Sequence, residues 1–339
     1  MNIRKSLLLI SLASFMSLSL SVSAAEINLK FESSNFAGEK VYEIQKEWTD
    51  NIEKASNGRI SIELLPLDSV LKSSDMLSGV RNKIIDGAVA TAAMYAGTDP
   101  GFGLIGDTIS AWNHDEDILN FYYNGGGFEV VDNIFQQYGA KLIGVSVTGA
   151  ESLPSKVKIA NTEDFKGIKI RAPSGPIQKL FARLGAAPVG LPGSEIYTSL
   201  EKGIIDAADF STFANNQAQG VHDIAKYPIY PGIHSSPAVH MIMNHKTWSS
   251  LTPSDQAFLI AYFKGMALDT LTRAHYEDKL AYKEAIEKGV QPVSWNQQEI
   301  TKVRSIAKEI WQEIAQQSEI GNQYYQVLMK FLESQGMLQ

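Results

Sequence analysis

Two groups of opposite charge stand where strands end. In GIKIRAPSG, residues 167–175, a β-branched run reaches Arg171 and is stopped at once by Pro173 and Gly175. The guanidinium therefore falls at the carboxyl end of a short strand, the end at which open α/β sheets bind ligands. It is a permanently charged planar fork of donors, suited to grip a carboxylate or another oxyanion through parallel bonds. In IIDAADFST, residues 204–212, an apolar strand ends on Asp209. A carboxylate buried there is costly without a cation or donors beside it, so Asp209 requires a positive partner. His234, in the turn PGIHSSP, is a further cleft-facing candidate. Phe36, Tyr95, Trp112 and Phe210 all fall where strands end, and together they would line a cleft that packs on a short organic ligand and excludes water.

Nothing accompanies these groups that would make or break bonds. Cysteine is absent, the six histidines form no metal-spaced pair with an acid on a helix face, and no Ser–His–Asp grouping assembles. Gly125-Gly126-Gly127 lacks the Lys-Ser/Thr pair of a phosphate loop, and Gly193-Ser194-Glu195 reads as a helix start. A secreted hydrolase is the remote alternative.

The elements that must position the candidate residues alternate in kind. INLKFES (27–33) reads as a strand, GEKVYEIQKEWTDNIEKASNG (38–58) as an amphipathic helix closed by Gly58, and RISIELLP (59–66) as a strand. SVLKSSDMLSGVRNKII (69–85) reads as a helix and DGAVAT (86–91) as a strand. That alternation predicts a mainly parallel sheet covered by helices. The pattern returns: MLSGVRNKIIDGAVAT (76–91) and YTSLEKGIIDAADFST (197–212) align on Ile84-Ile85-Asp86 and Ile204-Ile205-Asp206. Two related lobes are expected, and Val89 of the first copy becomes Asp209 in the second. AVHMIMNHKTW (238–248) is a later strand. The pattern from Thr252-Pro253 runs unusually far before Gly289, long enough for one helix to span both lobes.

Residues 1–25 have a basic start at Arg4 and Lys5, an apolar run and small residues at Val22, Ala24 and Ala25, the pattern of a cleaved secretory signal peptide. Without a cysteine at the cleavage site the exported chain carries no lipid anchor, and a periplasmic location is expected. Loss of two positive charges, Arg4 and Lys5, takes the formal charge from −7 to −9. An acidic chain with no basic cluster is a poor partner for nucleic acid or an anionic membrane. A bound anion must therefore meet a local cation.

Several linked stretches resemble the DctP-type solute-binding proteins of tripartite ATP-independent periplasmic (TRAP) transporters. They are EDFKGIKIRAPSG, LGAAPVGLPGSEIYTSLEKGIIDAAD and NHKTWSSLTPSDQ, in that order. The resemblance implies an α/β, two-lobed periplasmic binding protein fold with a long helix spanning both lobes and extra C-terminal helices. It divides the chain into a signal peptide (1–24), lobe I (25–150 with 238–275), lobe II (151–237 with 276–320) and a C-terminal helical extension (321–339). It makes Arg171 the clamp of the substrate's acid group. FYYNGGGFEVVDNIF, DIAKYPIYPGIH and the acid–aromatic pair Asp209-Phe210 are most similar to the branch that binds 2-oxo and 2-hydroxy monocarboxylates together with a cation. Three departures stand out: Glu151 where the branch carries glutamine, Asp209 for the commoner glutamate, and Ser235 where an acid is frequent.

The resemblance thus implies Glu151, Asp209 and the Phe210 backbone carbonyl around a Ca²⁺ or Na⁺ that bridges the ligand, with no catalytic cofactor. The alternative is a ligand that brings its own ammonium. Expected ligands are a 2-oxo or 2-hydroxy monocarboxylate, then a small sulfonate such as isethionate or taurine, then a C4-dicarboxylate. The membrane subunits of a TRAP transporter are the expected partners. The apolar stripe Ile306, Ile310, Trp311 and Ile314 on the extra helices is the expected seam of a homodimer.

Overall fold

A computed structural model of the chain describes residues 26–232 and 234–338; the expected signal peptide over residues 1–24 lies outside them. The first lobe opens with β1 (Ile27–Ser33), α1 (Lys40–Ala55), β2 (Ile60–Leu65), α2 (Met76–Arg81) and β3 (Gly87–Thr91). It continues with α3 (Gly101–Gly106), α4 (Asp115–Asn124), α5 (Gly127–Gln137) and β4 (Ala140–Val147). The second lobe holds β5 (Lys169–Arg171), α6 (Pro176–Arg183), β6 (Ala187–Val189), α7 (Ile196–Glu201), β7 (Ala207–Ala208), α8 (Phe213–Ala218) and α9 (Val221–Ile224). The chain then returns through β8 (Ala238–Asn244) and α10 (His245–Ser250), and ends on α11 (Pro253–Glu287), α12 (Gln297–Gln317) and α13 (Glu319–Ser334).

Five strands form the first sheet in the order β2-β1-β3-β8-β4, and three form the second as β6-β5-β7. β1 runs parallel to β2 and β3, whereas β8 is antiparallel to both β3 and β4. The returning strand thus sits inside the first sheet, paired on both edges and fully buried along its length.

The repeat seen in the sequence is repeated hydrogen bond by hydrogen bond. Lys30 donates its backbone N–H to Asp86 Oδ2 at 2.9 Å, and the Asp86 N–H returns a bond to Lys30 O at 2.8 Å. In the second lobe Lys169 donates to Asp206 Oδ2 at 3.0 Å and the Asp206 N–H bonds Lys169 O at 2.7 Å. Each aspartate pins the start of a parallel strand to its neighbour. The same superposition sets Glu32 against Arg171. Buried Glu32 accepts N–H groups of Val70 and Leu71 from the loop after β2, while Arg171 donates to the Leu191 carbonyl in the loop after β6. One scaffold position carries opposite charges in the two lobes.

Those bonds to Glu32 also shorten an expected helix. Residues 69–85 were expected to be helical throughout, but the α-helix covers only Met76–Arg81, preceded by a single 3₁₀ turn at Ser73–Asp75. The N–H groups of Val70 and Leu71 point at a buried carboxylate instead of starting a helix.

α11 extends for 35 residues, about 50 Å. Thr252 caps its first turn by accepting the Asp255 N–H, Pro253 stands at its first position, and Gly289 at φ +80° follows its end. Its first half packs on lobe I, with Phe263 stacked on Phe31 and Asp269 accepting the Trp48 indole N–H at 2.8 Å. Its second half belongs to lobe II, where Asp278 accepts the Ala214 N–H at 2.8 Å and Ala285 packs with Phe213. α12 also bridges the lobes, touching α6 and α3.

The stripe expected at a dimer seam lies inside this chain. Ile310 and Trp311 are completely buried and Ile314 nearly so, with the Trp311 indole donating to Ile109 O at 3.2 Å. α13 closes over the same core through Tyr324 and Phe331. Packing within the chain buries these three residues of the stripe, while Ile306 is only partly buried.

Candidate functional site

Between the lobes lies a cleft of about 640 Å³, lined from both sides. Arg171 reaches it because β5 ends there, held in register with Val189 on one side and Ala208 on the other. Two of its donors are spent on position: Nε bonds Leu191 O at 3.0 Å and Nη1 bonds Asp209 O at 2.6 Å. The Phe210 ring lies 5.8 Å from the guanidinium carbon, within cation–π range. Among the described residues no carboxylate comes within 4 Å of Arg171, and Nη2 has no protein acceptor. The backbone fixes this cation and leaves its charge unpaired.

Glu151 follows β4 where the chain crosses into lobe II, and its N–H bonds Ser235 O at 3.0 Å. This contact demands Gly232 in the neighbouring strap, because a Cβ there would sit 1.7 Å from the Glu151 carbonyl oxygen. Asp209, one residue beyond β7, is held by its N–H to Arg171 O at 2.8 Å. Its Oδ1 accepts His234 Nε2 at 2.6 Å, with both side chains almost sealed from solvent. The Glu151 and Asp209 carboxyls also lie side by side, with oxygens within 4.8 Å of one another. Burial, and next the charge of Asp209, push Glu151 well above the usual carboxylate range. Burial opposes ionisation of Asp209 too, but His234, then the Glu151 hydrogen bond and Arg171, outweigh it and hold that carboxyl low. These opposite directions favour a protonated Glu151 beside an ionised Asp209.

Ligand atoms of Glu151, Asp209 and His234 lie within 4.8 Å of one another. Two carboxylates close enough to share a proton offer a hard cation the oxygen donors it prefers, and the cation would take that proton's place. The Phe210 carbonyl, expected as a further donor, already accepts Asn216 Nδ2.

The wall facing these acids from lobe I is another one, Asp107, which the sequence reasoning missed. Its Oδ2 accepts the Ser235 hydroxyl at 2.8 Å, and burial pushes its carboxyl up to about 7. The available signal was an acid directly after GFGLIG, a helix buried at every residue.

The remaining candidates divide. Phe36 lies on the lip of the cleft, half exposed, and Phe210 on its wall. His234 lies behind the wall, packed on Phe181, and acts on the site through Asp209. Tyr95 is not in the cleft: its ring is buried in the lobe I core against Phe102 and Phe135. Trp112 is not there either, because it packs under α13 against Phe121 and Phe331. Tyr95 ends the 3₁₀ turn after β3 and Trp112 lies in the loop after α3, and both rings pack into the core. Asn35, Lys40, Ser174 and Asn215 line the cleft unpredicted.

The family model for bacterial extracellular solute-binding protein, family 7 (DctP) matches residues 33–318. The monocarboxylate 2-oxoacid-binding periplasmic protein of Nostoc sp. is 25% identical over 81% of this chain and 76% of its own. A TRAP periplasmic solute-binding protein of Rhodobacter sphaeroides, solved in an apo open state, shares 38% identity, covering 91% of this chain and 99% of that one with a TM-score of 0.82. That of Colwellia psychrerythraea, solved with calcium and pyruvate, shares 22% identity, covering 91% and 95% with a TM-score of 0.79. With a two-lobed fold and a family match across nearly all described residues, the chain belongs to the DctP family of TRAP transporter solute-binding proteins, and is a receptor rather than an enzyme.

Proposed function

We propose that this receptor captures a small organic acid anion in the periplasm, after removal of residues 1–24, and presents it to the membrane subunits of a TRAP transporter. The observation that carries the reading is Arg171: a guanidinium fixed by two backbone carbonyls, facing a cleft, with no carboxylate partner within 4 Å among the described residues. A partly buried cation left unpaired calls for an anion from the ligand.

A 2-oxo or 2-hydroxy monocarboxylate is the first ligand class. The similarity to the 2-oxoacid-binding protein of Nostoc and to the calcium–pyruvate complex of Colwellia supports it. In this reading Glu151 and Asp209 hold a Ca²⁺ or Na⁺ beside the ligand. The same acid pair supports a second reading, a sulfonate bearing an ammonium such as taurine, whose own charge would occupy that place. Asp107, Glu151 and Asp209 together weigh against a second carboxylate on the ligand, so a C4-dicarboxylate ranks last.

The test is a calorimetric screen of small 2-oxo acids, 2-hydroxy acids, sulfonates and dicarboxylates, with and without Ca²⁺ or Na⁺. Binding by a monocarboxylate that Arg171→Ala abolishes is the expected result. Binding that is indifferent to Arg171→Ala overturns the reading.

A further inference from the structure

Four segments cross between the lobes: residues 148–151, residues 231–237, α11 and α12. Three of them meet on one carboxylate. Asp115, the first residue of α4 and buried, accepts at Oδ2 from the Ala150 N–H at 3.1 Å and from His275 Nε2 at 2.8 Å. Its Oδ1 accepts the Ser236 hydroxyl at 2.6 Å. Ala150 belongs to the outgoing crossing, Ser236 to the returning one and His275 to α11. The fourth crossing ends just upstream: buried Arg304 of α12 donates to Ser110 O at 2.9 Å and Asn113 Oδ1 at 2.8 Å. The loop 110–115 is thus a common anchor for these four crossings among the described residues.

His275 lies at the point where α11 changes allegiance, between Asp269, bonded into lobe I, and Asp278, bonded into lobe II. It borders a second cavity of about 260 Å³ behind the 231–236 strap, and Ser235 lines both this cavity and the ligand cleft. The groups facing the imidazole are Asp115 and Glu116 of α4, the latter at 3.7 Å, and Asp278 of its own helix. Tyr230, just before the strap, donates its hydroxyl to Asp278 at 3.2 Å. Among the described residues no lysine or arginine lies within 4 Å of these three acids. Of the three donors on Asp115, only His275 titrates near neutrality.

We propose that the His275–Asp115 bond is a proton-gated hinge latch: charged His275 holds the lobe separation seen here, and neutral His275 releases the lobes to other separations. The physical basis is geometric. A charge-assisted bond between α4 and α11 survives only while the two elements keep their mutual angle, and hinge closure changes that angle. The hydrogen bond to Asp115 raises the imidazole above its ordinary value despite burial, which extends the charged form toward higher pH. Ligand affinity then inherits a proton dependence from a residue that touches no ligand.

The chain has no cysteine, so label pairs can be introduced cleanly at Glu53 of α1 and Glu201 of α7, both exposed and on opposite lobes. Spin-label distances in the ligand-free protein should narrow toward the separation seen here at about pH 6 and broaden at about pH 9. His275→Gln should give the broad distribution at both, and His275→Arg the narrow one at both. A wild-type distribution that ignores pH, or a His275→Gln response equal to that of the wild type, overturns the latch. Because the measurement uses no ligand, its failure leaves the anion-binding reading intact.

Discussion

His234 donates from Nε2 to Oδ1 of Asp209 at 2.6 Å, with both side chains 3% exposed or less. The bond joins the returning strap to the end of a lobe II strand, directly behind Arg171. It also answers the requirement that a carboxylate at that strand end have a partner. The partner is not Arg171, which binds the backbone oxygen of Asp209 and keeps its charge for the cleft. His234→Ala should therefore strand a buried acid and cost about 1–3 kcal/mol in stability, seen as a lowered denaturant midpoint. An unchanged midpoint would mean that Asp209 finds another donor.

Arg171 separates charge from geometry. Arg171→Lys keeps the cation but loses Nε to Leu191 and the fork, whereas Arg171→Ala removes both. The alanine variant should weaken anion binding by about 2–5 kcal/mol, with the lysine variant in between. Calorimetry of the two variants with one bound acid checks the order, and equal losses would show that charge without the fork contributes nothing.

Asp107 makes a pH prediction. Burial raises its carboxyl to about 7, so between the unfolded carboxylate range and pH 7 the native state holds a proton that the unfolded state has released. Its contribution is present at low pH and is lost as pH rises through that window. Asp107→Asn, which can keep the bond from Ser235, should gain stability over wild type as pH climbs from about 4 to about 7 and then hold level. Melting temperatures measured across that range test the sign; a gain confined to acid pH would contradict it.

The Glu151–Asp209 pair predicts what a cation does. A cation seated between the two carboxyls displaces the proton held by Glu151, so titrating ligand-bound protein with Ca²⁺ should release protons into a weak buffer. Glu151→Gln, which removes that titratable proton, should abolish the release. Full-strength binding of a 2-oxo acid after exhaustive chelation would favour a cation-free site.

Trp311 tests the C-terminal helices. With no exposed surface and its indole bonded to Ile109, it is core. Trp311→Ala should cost about 3–5 kcal/mol in stability. The loss should be independent of protein concentration, because the stripe is buried within one chain. A loss that grows on dilution would point to a dimer seam instead.

Short-range patterns carry much of this protein in the sequence alone. The strand stop at Pro173 and Gly175 places Arg171 at the ligand end of a sheet, the Ile-Ile-Asp echo marks two copies of one strand junction, and Thr252-Pro253 starts the long helix, because each depends on local backbone preferences. Tertiary contacts decided the rest. Tyr95 follows a strand end just as Phe36 and Phe210 do, and Trp112 follows α3, yet both face the core, since the direction of a loop is set by what it packs against. Asp107 was hidden because its neighbours in the site, Ser235, Asp209 and Glu151, are more than forty residues away along the chain. The Asp115 anchor has the same origin: its three donors come from Ala150, Ser236 and His275, and no local pattern records that separate crossings converge on one carboxylate. Sequence fixes what each segment can form, while which distant groups share a buried charge is decided only when packing brings them within hydrogen-bond reach.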